Sequence, residues 1–491
     1  MVSLSFYVGC YCLALFQTFV AASPLRNSVP RLFQRNPATR HNLTSADVQQ
    51  ELGPQLSHGS LIFGPSSPLY PDATERWVTF AKPDIEVVVQ PALESDIAKI
   101  VKYCDANSIE FLVRNRGHGG TTSLAVMKGL EIDMKLLQGM TFNENERTAV
   151  LQGGTYAGPV IRSLWDKGYG EYGLVADGVV HFNVVLADGS SIGVNETSHP
   201  DLFWAMRGAG HNFGVVTSYT ANIHPVGYMN WHYHNYTWTG DKLESVFEQL
   251  NVLHNLDNGS TPVLMSYTGG SFLIDPTIST SEAIIDFTFA YHGPATDAEA
   301  LLAPFNKIEA VRQEMGDVSY PELAAVQGTV EDSPGCDSAP FVIGSNMLIN
   351  YNVTVERQIY DLFNKYVARY PGIGNAVSII HEGYATKAVH EIPSDSTAYP
   401  HREDNHLVVF LGALLNGTQE TPMRQWAKET HDLWTAGKPS RRSDIYVNYA
   451  SGSSYESLES IYGYESWRLP KLRALKAKYD PHNRFGYYAP I

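Results

Sequence analysis

The stretch Phe111-Leu112-Val113-Arg114-Asn115-Arg116-Gly117-His118-Gly119-Gly120-Thr121-Thr122 constrains the fold more than any other. An apolar run from Phe111 to Val113 has the composition of a short buried strand. It stops in a turn of two arginines, three glycines and a histidine. Glycine permits positive φ and leaves no Cβ between the backbone and a ligand. Successive N–H groups in such a turn make a concavity that suits a phosphate. His118 lies mid-turn, where an imidazole can reach a flat ligand resting on that backbone. The same residues also describe an ordinary glycine-rich surface turn. The preceding pattern favours a small α/β unit with its ligand loop at a strand's carboxyl end. Ile85 to Val89 is a short apolar strand closed by Pro91, and Ile97, Ile100, Val101 and Cys104 recur at helical spacing behind Asp96.

At 491 residues the chain has length for two or three domains, or for one large two-lobed enzyme. Its 44% hydrophobic and 18% charged residues are ordinary for a globular protein. A net charge of −16 argues against general nucleic-acid binding, which needs a basic footprint. Residues 1–22 read as a signal peptide: an apolar run from Leu4 to Val20, then Val20-Ala21-Ala22 before Ser23-Pro24. An uncleaved anchor is the alternative, because no basic residue precedes the run. No later stretch is long and apolar enough to span a bilayer, so the mature chain is expected to be secreted or luminal. Cys10 and Cys12 fall in the leader, leaving Cys104 and Cys336, too few for a disulfide framework. Cys104, on a helix's apolar face, is expected to be a buried thiol. Asn-x-Ser/Thr sequons at Asn42, Asn195, Asn235, Asn258, Asn352 and Asn416 fit a secretory route.

Further along, a helix is expected from Ala157 to Lys167. Apolar flanks around Asp188-Gly189 predict a hairpin. Asp201 to Ala209 reads as a short helix and Phe213 to Ala221 as a strand. After Pro225 the texture changes. Runs such as His232–Trp238 and Ile284–His292 alternate with helices near Lys242–His254 and Ala298–Ala310, suggesting an antiparallel sheet with helices on one face. A helix from Val355 to Arg369, strands near Ala376–His381 and His406–Leu414, and helices at Met423–Ala436 and Ser466–Tyr479 complete the reading.

Residues 79–226 and 441–491 resemble the berberine bridge enzyme-like flavoproteins, a branch of the vanillyl-alcohol-oxidase superfamily with a PCMH-type FAD-binding domain. The matching residues are the loop Arg114–Thr121, Ala176-Asp177-Gly178-Val179-Val180, the run Asp201–Thr217 with Gly208-Ala209-Gly210-His211-Asn212-Phe213-Gly214, Tyr446-Val447-Asn448-Tyr449, and Tyr479-Asp480-Pro481-His482-Asn483-Arg484-Phe485. The resemblance implies an α+β fold: a two-lobed FAD-binding domain at 79–226 behind an N-terminal lead (23–78), an antiparallel-sheet substrate domain at 227–440, and a C-terminal segment, 441–491, returning to the FAD lobe. It implies FAD held covalently through His118. The cofactor-binding candidates are then Arg114, Asn115, Arg116, Gly117, Gly119, Gly120, Thr121, Asp177, Val179, Gly210, Asn212, Gly214, Val215 and Asn448. Tyr446 is the candidate base, sharing one strand face with Asn448. A phenol titrates near pH ~10 unperturbed, so that role requires a cationic neighbour.

The chain departs from the family between Tyr169 and Tyr172, where only Gly170 and Glu171 replace a longer insert bearing a second cofactor loop. No cysteine lies there, so a second covalent bond from that position is excluded. Three other motifs are set aside. Gly189-Ser190-Ser191-Ile192-Gly193 matches a nucleophile elbow but falls in the expected hairpin. The glycines after Gly208 have the wrong spacing for a dinucleotide fingerprint. His401-Arg402-Glu403-Asp404-Asn405-His406 lacks zinc-site spacing and reads as a solvated loop, with no metal expected. The resulting expectation is a secreted FAD-dependent oxidoreductase that takes a hydride from a small organic substrate in secondary metabolism, with molecular oxygen as acceptor. A carbohydrate oxidase and an inactive, ligand-binding secreted glycoprotein are the alternatives.

Overall fold

The computed structural model describes residue 40 and residues 42–491, apart from 256–257, 331–336 and 371. The expected signal peptide and Cys336 lie outside the described residues. Cys104 is a free, buried thiol, as expected, and burial pushes it up to about 12.

Three sheets organise the chain. The first is four-stranded, in the order Leu61–Phe63, Asp84–Gln90, Lys128–Asp133, Phe111–Arg114. Leu61–Phe63 pairs antiparallel and the other neighbours pair parallel. The helix Glu94–Ala106 buries Ile97, Ile100, Val101 and Cys104, the residues that recur at helical spacing. The stretch read as an N-terminal lead is part of this lobe, since Leu61–Phe63 is a strand of the sheet and Leu43, Val48 and Leu52 enter its core.

The second sheet is antiparallel, in the order Met140–Asn143, Thr148–Gln152, Val215–Asn222, Val179–Val185, Ser191–Val194. The Asp188-Gly189 hairpin is present, with Gly189 at φ +74°. Ser191 therefore lies exposed on a strand and not on a strand-to-helix turn. At the shortened junction, Tyr169–Gly170 pairs with His224–Pro225, which closes the chain without the longer insert.

The third sheet is seven-stranded and antiparallel: Arg312–Val318, Trp231–Trp238, Ile284–Tyr291, Met265–Leu273, Val377–Gly383, His406–Ala413, Phe341–Leu348. Side chains alternate across a strand, and here both faces are covered. Val342, Val377, Ile379, Val408 and Phe410 join the core formed with the helices Leu243–Asn255, Val353–Arg369 and Glu420–Gly437. Ile343, Ile380, Val409 and Leu411 point the other way, onto Trp77, Val78 and Phe80 of the first lobe.

The C-terminal helix Arg468–Tyr479 fastens the tail to the second sheet. Lys476 Nζ donates to the Asn212 carbonyl and to Asp480, both at 2.6 Å, and lysine and aspartate are wholly buried. Asp480 also accepts the amides of Arg484 (2.7 Å) and Phe485 (2.9 Å). Arg484 then bonds the Ile109 carbonyl at 2.7 Å, and Phe485 packs edge-on against Phe111. Removing one partner of a buried pair strands the other charge. Lys476→Met is expected to cost about 3–5 kcal/mol in denaturant unfolding, with part of the loss recovered in Lys476→Met/Asp480→Asn; equal stability of the single variant and the parent would show that the pair does not brace the tail.

Candidate functional site

Two acidic residues on one strand set the site. Glu131 and Asp133 are two apart on Lys128–Asp133, so they share a face, and both are fully buried. Arg76 pairs with Glu131, and Arg114 Nη1 lies 3.4 Å from Asp133 Oδ1, which leaves the other Asp133 oxygen to accept from Gln90 at 2.7 Å. Burial pushes the Glu131 carboxyl up to about 7, against the pull of the Arg76 charge. These pairs anchor the two segments that meet at the histidine: Arg76 precedes Trp77, and Arg114 opens the glycine loop. The Trp77 and His118 rings stack with centroids 4.4 Å apart and planes 8° apart. His118 is solvent-exposed, yet its walls desolvate the imidazole and hold it below the usual histidine range, in the neutral form.

The loop residues divide by role. The Arg114 guanidinium is turned into the protein, its remaining donors going to the carbonyls of Asp72 (3.1 Å) and Glu75 (3.3 Å). Asn115 donates to the carbonyls of Gly153 (2.9 Å) and Thr155 (2.7 Å), which ties the loop to the second sheet, while its Oδ1 is buried without a partner. Arg116 is exposed, its guanidinium 4.4 Å from the centre of the Tyr156 ring. Gly117 has φ +71°, and a Cβ there would sit 2.5 Å from the Glu75 carbonyl oxygen. At Gly119 and Gly120 a Cβ would meet Tyr488 and Ile343, each at 2.9 Å. The amides of His118, Gly119 and Gly120 make no hydrogen bond to another described residue, so they form an open row of donors. Thr121 ends the loop as an N-cap, and Thr122 N donates to the Ser451 carbonyl at 2.9 Å, drawing the C-terminal segment over it.

The second group of expected cofactor residues is mostly architectural. Asp177 is held by both terminal nitrogens of the buried Arg402, at 2.6 and 2.8 Å. Val179 and Val215 are buried strand residues, and a Cβ on Gly214 would lie 2.5 Å from Val184. Gly210 opens a tight turn to Asn212, whose amide bonds Tyr462 at 3.1 Å. His211, in the same turn, bonds the Tyr462 hydroxyl at 2.9 Å and meets Tyr488 edge-on. Tyr488 in turn donates to the carbonyls of Val447 and Asn448 at 3.1 Å. Tyr488 thus joins Gly119 to the Tyr446 segment, so the histidine loop and that segment share one side of the molecule.

That segment corrects the sequence reading. Tyr446-Val447-Asn448-Tyr449 is a 3₁₀ turn and not an alternating strand. Asn448 Nδ2 still reaches the Tyr446 hydroxyl, at 2.8 Å. The cationic neighbour required for Tyr446 as a base is not what it has. Burial, and next the Glu382 charge, raise its phenol above the ordinary tyrosine value. Tyr449 has the more telling contact: its hydroxyl donates to Glu382 Oε1 at 2.8 Å. Glu382 follows Ile380 by two on Val377–Gly383, so it faces the side where Trp77 and His118 stack. Burial raises its carboxyl above the usual range, opposed by hydrogen bonds from Tyr384 and Tyr449. Sequence reading missed Glu382; its available signal was a lone acid continuing the apolar alternation of a strand.

The segment His401–His406 is largely buried, not a solvated loop: His401, Arg402, Asn405 and His406 are each 4% exposed or less, and Glu403 alone of the six is exposed. Ligand atoms of His401, Asp404 and Asp444 lie within 4.8 Å of one another. The Lys438 ammonium already pairs with Asp444 there and lies 3.9 Å from Asp404. A lysine therefore supplies positive charge where a metal would.

Comparison with known proteins agrees with this geometry. A family model described as an FAD binding domain matches residues 85–171. The FAD-linked oxidoreductase iacH of Pestalotiopsis fici is 52% identical over 100% of this chain and 99% of its own length. Among solved structures, Physcomitrella patens BBE-like 1 superposes with a TM-score of 0.74 at 18% identity, covering 90% of this chain and 99% of that one. Glucooligosaccharide oxidase from Acremonium strictum, described with a 6-S-cysteinyl, 8α-N1-histidyl FAD, gives 0.72 at 18% identity, covering 90% and 98%. The residues present fit FAD on the loop side. Three amides stand open, glycines leave no Cβ in the way, and the buried Asn115 Oδ1 has no protein donor. With the relative's identity extending over the whole chain, this protein belongs to the FAD-linked oxidoreductases and carries the berberine bridge enzyme-like fold.

Proposed function

We propose that this chain is a secreted oxidase of small organic alcohols, working in secondary metabolism, with FAD bonded to His118 and a Tyr449–Glu382 pair as proton acceptor. The observation that carries the reading is the 2.8 Å contact from Tyr449 to a buried carboxylate, on the sheet face that meets the histidine loop. When bound, the flavin supplies a two-electron acceptor for a hydride from the carbon bearing the hydroxyl, and molecular oxygen restores it with release of hydrogen peroxide. The chain's part is proton management. Tyr449 commits its own proton toward Glu382, leaving its oxygen lone pairs to accept the proton that the substrate hydroxyl gives up. The tyrosine proton then passes to the carboxylate. This is the logic of a base backed by a second group. Tyr446, with Asn448 donating to its oxygen, keeps its own O–H to orient the substrate. A neutral imidazole at His118 retains the lone pair that a bond to the flavin requires.

The surrounding side chains favour an apolar substrate. Phe341, Ile380, Leu411 and Tyr449 line this face with Trp77, few of them able to hydrogen-bond a sugar. Secretion is supported by the leader and by sequons at exposed positions, Asn42, Asn258, Asn352 and Asn416. Asn235, by contrast, lies on a strand paired on both sides, with its amide oxygen buried. Mass spectrometry of the secreted protein is expected to find glycans at the four exposed sites and none at Asn235.

Glu382→Gln is expected to stay yellow and to lower peroxide release by about 10²–10⁴-fold on a panel of aliphatic and benzylic alcohols. Because Glu382 must be ionised, activity falls as pH drops through a value above the ordinary carboxylate range. His118→Ala is expected to lose the colour that otherwise survives acid precipitation. Full activity in Glu382→Gln would remove the proton-accepting role. Turnover of oligosaccharides without turnover of alcohols would move the reading to sugar oxidation.

A further inference from the structure

Seven carboxylates are buried among the described residues: Asp96, Glu131, Asp133, Asp275, Glu356, Glu382 and Asp480. Six of them meet a cation or an imidazole within ion-pair distance, namely Lys99, Arg76, Arg114, Arg312, His381 and Lys476 respectively. Glu382 has no such partner among the described residues. It is held instead by two phenols, one on each oxygen: Tyr449 donates to Oε1 and Tyr384 to Oε2, both at 2.8 Å.

We propose that Tyr384 is a positioning residue for the proton-accepting pair, locking the Glu382 carboxylate in its ionised form and in the orientation that meets Tyr449. The proposal rests on the reading of Glu382 given above. The final torsion of a glutamate is broad and roughly two-fold, so one hydrogen bond leaves the carboxylate free to swing. A second, on the opposite oxygen, fixes its plane. The strand supplies that second donor, because Tyr384 follows Glu382 by two residues, just past the strand's last residue, Gly383. Hydrogen bonds to the charged form also favour ionisation, and without a cation these two donors are what oppose the cost of burial. The other group facing Glu382 is a neutral phenol, Tyr446 from the 3₁₀ turn. It does not replace the bond from Tyr384. Tyr384 as a residue is 40% exposed and belongs to no hydrophobic core cluster, so losing the hydroxyl leaves the core packing untouched.

The test is a pH titration of the visible flavin band in the purified, flavin-loaded full chain, between about pH 4 and 9, since ionisation of a carboxylate beside the ring perturbs that band. The parent protein is expected to show one transition, and Glu382→Gln none. Tyr384→Phe is expected to move the midpoint upward by about one pH unit, the value of one hydrogen bond to a charged group, while keeping colour and melting temperature. Tyr449→Phe is expected to move it in the same direction. A Tyr384→Phe midpoint equal to the parent's, with the transition absent in Glu382→Gln, overturns the role of Tyr384 and leaves Glu382 in place. A transition that persists in Glu382→Gln, or a parent without one, instead overturns the reading of Glu382 itself, and this proposal falls with it.

Discussion

The site depends on two buried arginine–carboxylate pairs. Arg76 and Arg114 lie far apart in sequence, but their partners, Glu131 and Asp133, project from one face of one strand. Fixing both guanidinium groups there fixes Trp77 and the glycine loop against each other, and so brings the imidazole of His118 onto the indole. A buried ion pair contributes little net stability, because desolvation offsets the attraction. What it contributes here is register: either arginine displaced by one residue would leave a charge stranded in the core.

The same economy governs closure of the molecule around the loop. The C-terminal tail returns through Lys476, Asp480 and Arg484 to the Asn212 turn and to the strand that feeds the histidine loop. Tyr488 then sits against Gly119 while bonding the carbonyls of Val447 and Asn448. A side chain larger than hydrogen at Gly119 would push that ring off the segment carrying Tyr446 and Tyr449. The glycines therefore serve two masters, ligand approach on one side and tail packing on the other. Sequence reading accounted only for the first.

Local pattern made much of the fold legible. The Ile97–Cys104 helix, the Asp188-Gly189 hairpin and the long helices of the third sheet all lie where periodicity and turn residues put them. The histidine loop was legible because its composition is unusual over a short span. Three readings failed for one shared reason: they concern residues whose partners lie far away in the chain. The Arg114 side chain read as free for a cofactor because Asp133 was not visible beside it. The charged run His401–His406 read as solvated because its neutralising groups, Asp177 and Lys438, come from other elements. Tyr446–Tyr449 read as a strand because four residues with two tyrosines alternate as well as they turn. Only the carbonyl bonds from Tyr488 and the anchoring of Ser451 to Thr122 decide for the turn.

Charge compensation also explains why Tyr449, and not Tyr446, is suited to moving a proton. Every other buried carboxylate among the described residues meets a lysine or arginine, which holds its proton firmly, except Glu356, which meets the imidazole of His381. Half-buried Glu456 accepts from the backbone amides of Ser451 and Gly452 and from the Ser451 hydroxyl, and from no phenol among the described residues. Among these buried carboxylates of the described residues, only Glu382 is compensated by phenols, and a phenol can pass its proton along the bond it already makes. Tyr446 has no such outlet: its oxygen accepts from Asn448, and the nearby negative charge makes a phenolate there costly. The pairing that looks weakest as a stabiliser is thus the one that leaves a proton free to move.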